Sequence, residues 1–411
     1  MTSRLPAGLK NRSFRRLAAS LAASQIGDWF YNVALLVLVF ERTGSPSWVA
    51  LTTAARVIPI VALGPLGGVV ADRFDRRRVM IASDLMRMGL MAALGFVAIA
   101  GLPIVLIPLL AAAATAAATP YPPSVAASTP RLVADADLPA ANALRSAIGA
   151  AGIVVGPALG TILLVVASPA VAILANAGTF AVSALLVASI AGGPAFAPSA
   201  HRGSGASVLS DLREGAAALR RSVPVLLVVG ADVAVSAVYG AQTVLLVLLG
   251  RELGGGNGYG LLIAAIGVGG LAGAGLGGRA AGMHRSTAVL VGALLMVAAA
   301  MALLGVSTSL PVAMALAAVG GSGAVVVEVL AETRMQRLLD EAVLARAYGL
   351  ALPAALAGIV AGALVAAPLA SALGLTAAFI ATGAAVALYA ALVSALSASP
   401  RRLGASASVA S

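Results

Sequence analysis

Apolar residues run along the chain in long blocks, broken by Gly, Pro or charged residues, at about 14–40, 48–70, 79–100, 104–126, 144–167, 171–191, 223–249, 259–278, 288–307, 310–330, 347–370 and 375–396. Each block is close to the roughly 20 residues that carry a helix across a bilayer core. The pattern predicts an all-α membrane protein with twelve transmembrane helices. The first block carries Asp28 and is too long for a cleaved leader, so it is read as a retained span.

The longest polar stretch, 192–222, is rich in Gly, Pro and Ser and holds His201, Arg202, Arg213, Arg220 and Arg221. It predicts a cytoplasmic linker between two six-helix bundles, 1–191 and 223–397, with a cytoplasmic tail at 398–411. The bundles also align with each other. Residues 35–39 and Gly44 fall on 245–249 and Gly254 at an offset of 210, Leu66-Gly67-Gly68 falls on Leu276-Gly277-Gly278, and Ala151-Gly152 falls on Ala361-Gly362. One register for separated matches predicts a parallel duplication and a pseudo-twofold fold.

Composition narrows the chemistry. Hydrophobic residues make up 61% of the 411 positions and charged residues 10%, too few polar groups to clothe a soluble globule. The net charge of +11 then reads as orientation, with no nucleic-acid partner expected. With the N-terminus inside, only Arg42 and Arg251 fall outside the membrane and only Arg56 and Arg87 within spans, while the remaining basic residues cluster on the cytoplasmic face. Both termini are therefore expected in the cytoplasm. The absence of Cys excludes disulfides and thiolate chemistry, and His201 and His284 are too few for a His-built metal site. With no Walker-type Gly-Lys-Ser/Thr sequence, direct use of ATP is not expected; the spans leave no room for a soluble catalytic module, so neither an enzyme nor a cofactor is expected.

Ionisable residues inside spans carry more information, because each costs about 2.5–3.5 kcal/mol at a helix centre. Asp28 of the first span and Arg56 of the second lie at similar depth, which predicts an intramembrane ion pair that is either a proton-coupling site or a static packing element. Asp84 and Arg87, three residues apart, read as a structural pair. Asp232 and Glu328, with no partner nearby in sequence, are secondary protonation candidates, and Glu332 is expected near the interface beside Arg334. Asn32 and its offset counterpart Gln242 are expected to face one cavity. Tyr31, Tyr121 (among Pro120, Pro122 and Pro123) and Tyr239 are either its walls or core packing. Gly152, Gly156 and Gly160 recur every fourth residue, with Pro157 among them. That places a bare strip on one helix face, read either as a hinge or as tight packing.

The loop Gly64-Pro65-Leu66-Gly67-Gly68-Val69-Val70-Ala71-Asp72-Arg73-Phe74-Asp75-Arg76-Arg77-Arg78 resembles the loop motif of the major facilitator superfamily, with Asp75 where that pattern usually has Gly. Gly152-Ile153-Val154-Val155-Gly156-Pro157-Ala158-Leu159-Gly160 resembles the fifth-span motif of its drug antiporter branch. Leu138-Pro139-Ala140-Ala141-Asn142, Gln336-Arg337 and Arg346-Ala347-Tyr348-Gly349 resemble its siderophore-exporter-like branch.

The resemblance implies the major facilitator fold and proton-coupled export of a small lipophilic or amphipathic compound (a drug, siderophore or secondary metabolite) by alternating access. Gly68, Asp72, Arg73 and Arg77 would form a gating latch. The expected setting is the bacterial inner membrane, with the lipid bilayer, small-molecule substrate and protons as partners of a monomer. A metabolite importer on the same fold, or a non-transporting membrane sensor or assembly partner, is the alternative.

Overall fold

The computed structural model describes residues 11–134, 137–198, 222–280, 286–338 and 341–398. Among them the regular structure is entirely helical. The helices are α1 (Arg12–Thr43), α2 (Pro46–Arg73), α3 (Arg76–Ile99), α4 (Leu106–Ala118), α5 (Tyr121–Leu132), α6 (Leu138–Val166), α7 (Pro169–Ala188), α8 (Val223–Gly254), α9 (Gly258–Ala280), α10 (Ser286–Leu304), α11 (Leu310–Leu338), α12 (Glu341–Leu373) and α13 (Leu375–Ala398).

Nine helices among the described residues are long and apolar enough to cross a membrane. The pattern within them suits lipid, since bulky side chains such as Phe96, Val166, Leu185 and Leu388 lie exposed along the helices. The hydroxyls of Thr43, Thr52, Ser124, Ser128 and Thr129 donate to carbonyls one turn earlier in their own helices, so they need no water.

Local chemistry fixes the ends. The Asn11 side chain accepts from the Ser13 and Phe14 amides to open α1, and Gly44, at φ 59, closes it with its N–H on the Phe40 carbonyl. Asp75 accepts from the Arg78 amide at 2.9 Å and caps α3. The residue that departs from the family loop pattern thus has a structural task.

The span expected at 104–126 is broken. The helix is interrupted at Thr119–Pro120, and α5 continues to Leu132. Pro120, Pro122 and Pro123 deny the backbone the donors a continuous helix needs. The break has a use in packing, because a Cβ added to Gly67 of α2 would sit 2.5 Å from the Thr119 carbonyl oxygen. Gly68, its neighbour in the loop motif, has nothing within 4 Å of the equivalent position.

Contacts divide the chain into two compact units, Met1–Ser204 with Val247–Ala264, and Gly205–Leu246 with Ala265–Ser411. The end of α8 and the start of α9 therefore pack with the first unit, where Gly260 lies against Thr161 and Val33. In that unit α1 is held by α6 and α7, and α3 by α7 and α4. In the second unit α10 packs on α11 and α13. Most of the linker, with His201 and its four Arg, lies outside the described residues, as do His284 and the 398–411 tail beyond Ala398.

Candidate functional site in the first unit

The inward faces of α1, α3, α5 and α7 carry a polar network inside an otherwise apolar bundle. Arg87 of α3 is its hub. Its guanidinium bonds the Asp28 carboxylate of α1, approaches Asp84 Oδ1 at 3.7 Å, and lies 3.8 Å over the Phe180 ring of α7. The aromatic face and two carboxylates together compensate a cation held almost out of solvent. Asp84 is fully buried. Ser183 of α7 donates to its Oδ2 at 2.6 Å, the Ser183 hydroxyl lies 3.3 Å from the Tyr121 hydroxyl of α5, and Tyr121 lies 3.2 Å from the Ser20 hydroxyl of α1.

This arrangement corrects the pairing expected from sequence. Asp28 pairs with Arg87 of α3, and Arg56 instead donates to Asn32 Oδ1 and lies 5.3 Å from the buried Tyr31 ring. The reason is lateral order. Sequence proximity made α2 the natural partner of α1, but α1 buries its central face against α6 and α7, which leaves Asp28 open towards α3. Asn32, expected on a cavity wall, is spent holding Arg56. Asp84 and Arg87 do meet, as members of a larger network.

A cavity of about 480 Å³ opens beside the network, lined by Leu21, Ser24, Gln25, Asp28, Arg87, Ala118, Tyr121, Pro122, Val125 and Arg145. Its lining is mixed: Leu21, Ala118, Pro122 and Val125 offer apolar surface, and Ser24, Gln25, Asp28, Arg87, Tyr121 and Arg145 offer polar and charged groups, a composition suited to an amphipathic ligand. Arg145, assigned from sequence to a cytoplasmic segment, lies two turns into α6 because that helix starts at Leu138. Ser183 was overlooked in the sequence, and Arg145 was read there only as a charge that sets orientation. The available signal was a polar residue within a strongly apolar block.

The glycine strip of α6 lies against α1. A Cβ on Gly156 would collide with the Trp29 side chain, and one on Gly160 would sit 2.9 Å from the Phe30 carbonyl oxygen. Gly152 faces the Trp29 ring, while of Pro157 only its place in the helix is described. The strip seats the helix that carries Asp28.

Around the loop after α2, Arg76 pairs with Asp72 at 3.6 Å, and Arg77 donates to the Val187 and Ala188 carbonyls at the end of α7. Arg16 reaches the Ser189 carbonyl, and Arg76 and Arg131 reach Ala197. Guanidinium groups thus satisfy carbonyls that a helix end leaves open. Arg73 is exposed.

In the second unit, Gln242 donates to Met301 Sδ at 3.5 Å, and Tyr239 is half-buried on α8. Asp232 of α8 acts electrostatically on Glu328 and Glu332 of α11, so these carboxylates form one acidic group. The Arg334 guanidinium donates to the Thr287 hydroxyl. A separate cavity of about 370 Å³ between α8, α12 and α13 is lined almost wholly by small apolar residues with Thr382 and Tyr389.

A family model described as transmembrane secretion effector matches residues 3–410. MFS-type transporter YfiS of Bacillus subtilis is 29% identical over 172 residues, 42% of this chain and 40% of that protein. Macrolide efflux protein A of Streptococcus pyogenes is 26% identical over 151 residues, 36% of this chain and 37% of that protein. The matched stretches thus span about two fifths of these relatives. Among solved structures, nucleoside transporter NupG superposes with a TM-score of 0.72 at 13% identity, covering 94% of this chain and 99% of that one. A bacterial homolog of the human lysosomal transporter Spinster gives 0.69 at 13%, covering 92% and 95%. These likenesses establish the fold.

Proposed function

The chain belongs to the transmembrane secretion effector family of the major facilitator superfamily, and we propose that it is a secondary active transporter exporting a small amphipathic compound in exchange for protons. The observation that carries this reading is the Asp28–Arg87 pair in the wall of a cavity that also offers apolar surface from Leu21, Ala118, Pro122 and Val125. Apolar walls take up the greasy body of a cargo, and the charged face orients its polar end. An ionisable pair in that wall lets a change of protonation alter how the cavity receives cargo. The relative named as a macrolide efflux protein supports export and suggests macrolides as a first cargo class.

In this reading twelve spans cross the bacterial inner membrane, α4 and α5 forming one broken span, with both termini cytoplasmic and the molecule acting as a monomer. The Arg-rich end of the first unit, where Arg16, Arg76, Arg77 and Arg131 gather, supports that orientation. The loop carrying Gly68, Asp72, Arg73 and Arg77 serves as a gate between access states. Asp232 and Glu328 form a second protonatable group, and the Gly152–Gly156–Gly160 strip with Pro157 guides the rocking of α6 on α1.

The test uses everted membrane vesicles from a pump-depleted bacterial host expressing the full chain, energised by an imposed pH gradient and supplied with radiolabelled erythromycin. Accumulation that collapses with the gradient, and that falls in Asp28→Asn to the level of vesicles without the protein, is expected. Accumulation indifferent to the gradient would remove proton coupling. Entry of a labelled nutrient in its place would favour an importer.

A further inference from the structure

The network contains a carboxylate that the cavity does not reach directly. Asp84 is fully buried and lies behind Arg87, and Ser183 donates to its Oδ2 at 2.6 Å. Its other oxygen, Oδ1, is buried and accepts no hydrogen bond, its contact being the 3.7 Å approach of Arg87. A carboxylate held this way is poorly compensated as an anion and well suited to hold a proton.

A route to it exists. Tyr121 lines the cavity, and its hydroxyl is within hydrogen-bond distance of Ser183. Successive contacts run from the cavity through Tyr121 and Ser183 to Asp84, crossing α5, α7 and α3.

We propose that Asp84 is the proton-carrying carboxylate of this unit, loaded from the cavity through the Tyr121 and Ser183 hydroxyls, and that Arg87 transmits its protonation to Asp28. The proposal rests on the proton-coupled reading above, and it places the proton on a residue whose spacing alone suggested a static pair.

In the loading step a hydronium in the cavity gives a proton to the Tyr121 oxygen, the Tyr121 proton passes to Ser183, and the Ser183 proton passes to Asp84 Oδ2. As many O–H bonds form as break, one carboxylate charge is neutralised, and both hydroxyls emerge intact. Arg87 touches both carboxylates. With Asp84 protonated, Arg87 serves Asp28 alone and cancels its charge towards the cavity. With Asp84 ionised, Arg87 is shared and Asp28 presents negative charge to cargo. Proton and a cationic amphiphile, such as an amine-bearing macrolide, then compete without sharing a binding atom.

The ionisable groups facing Asp84 are Arg87 on its own helix, Asp28 from α1 and Tyr121 from α5. From α7 come Ser183 and the Phe180 ring. Helix α4 carries no ionisable residue, and Arg56 of α2 is engaged with Asn32.

The test needs no cargo. Infrared difference spectra of the purified full chain carrying Asp232→Asn and Glu328→Gln, which silence the second unit's protonatable group, titrated across neutral pH in detergent, are expected to show the C=O stretch of a protonated carboxylic acid. That band is expected to vanish in Asp84→Asn and to persist in Asp28→Asn. In Tyr121→Phe and Ser183→Ala, both of which retain Asp84, the band should persist while its shift on transfer to heavy water becomes slower. A band that survives Asp84→Asn, one that disappears in Asp28→Asn, or exchange unchanged in both hydroxyl variants overturns the proposal. If the band behaves as expected but erythromycin accumulation ignores the pH gradient, the relay stands and the exporter reading fails.

Discussion

The two units are built on the same helix plan yet spend their polar residues differently. At the offset of 210, Asp28, Arg56, Asp84, Arg87, Asn176 and Ser183 of the first unit correspond to Val238, Ile266, Leu294, Val297, Val386 and Val393 of the second. All but Ile266 of these are buried apolar residues. Conversely, Ala118 and Pro122, in the wall of the first unit's cavity, correspond to Glu328 and Glu332, which join Asp232 in the second unit's acidic group. One unit carries mixed charges that neutralise one another in its interior; the other has an apolar interior with like charges at a different site. The second unit thus packs this helix plan without a central ion pair among its described residues.

The sharpest way to break the contrast is to unbalance the network. Arg87→Leu leaves Asp84 buried without its counter-charge and should cost about 3–5 kcal/mol, read as a lowered unfolding midpoint in detergent. The triple variant Asp28→Val, Asp84→Leu, Arg87→Val copies the second unit's residues, and it should recover most of that stability while losing gradient-driven accumulation. The reciprocal graft, Val238→Asp, places one uncompensated carboxylate in the second unit and should cost about 2.5–3.5 kcal/mol, seen as reduced insertion and yield.

Packing is expected to respond less. Gly156→Ala drives a methyl group into Trp29 and should cost about 1–3 kcal/mol, whereas Gly68→Ala, with open space around it, should leave the midpoint unchanged. Tyr389→Phe in the second unit removes the 2.8 Å hydrogen bond to the Leu227 carbonyl and should cost about 1 kcal/mol. The smallest stability effect is expected for Arg77→Ala, below about 1 kcal/mol because the site is partly exposed. A loss of transport exceeding that stability change would support the gate.

The amino-acid sequence alone determined the helices and the relation of the units. Apolar blocks of spanning length suffice for the helices, because a bilayer leaves a chain few ways to satisfy its backbone, and the offset of 210 was visible as repeated Leu and Gly. The family was legible in the loop at 64–78. Only the tertiary structure decided which charges meet. Asp28 could have been paired with Arg56 or Arg87 on depth alone, and lateral helix order, which leaves little trace in one sequence, selected Arg87. The same is true of the Ser183–Tyr121 contact, whose residues are 62 apart, and of the close approach of Gly67 to the break that the prolines make. Hydropathy reports how deep a residue lies; packing alone sets which neighbour it faces.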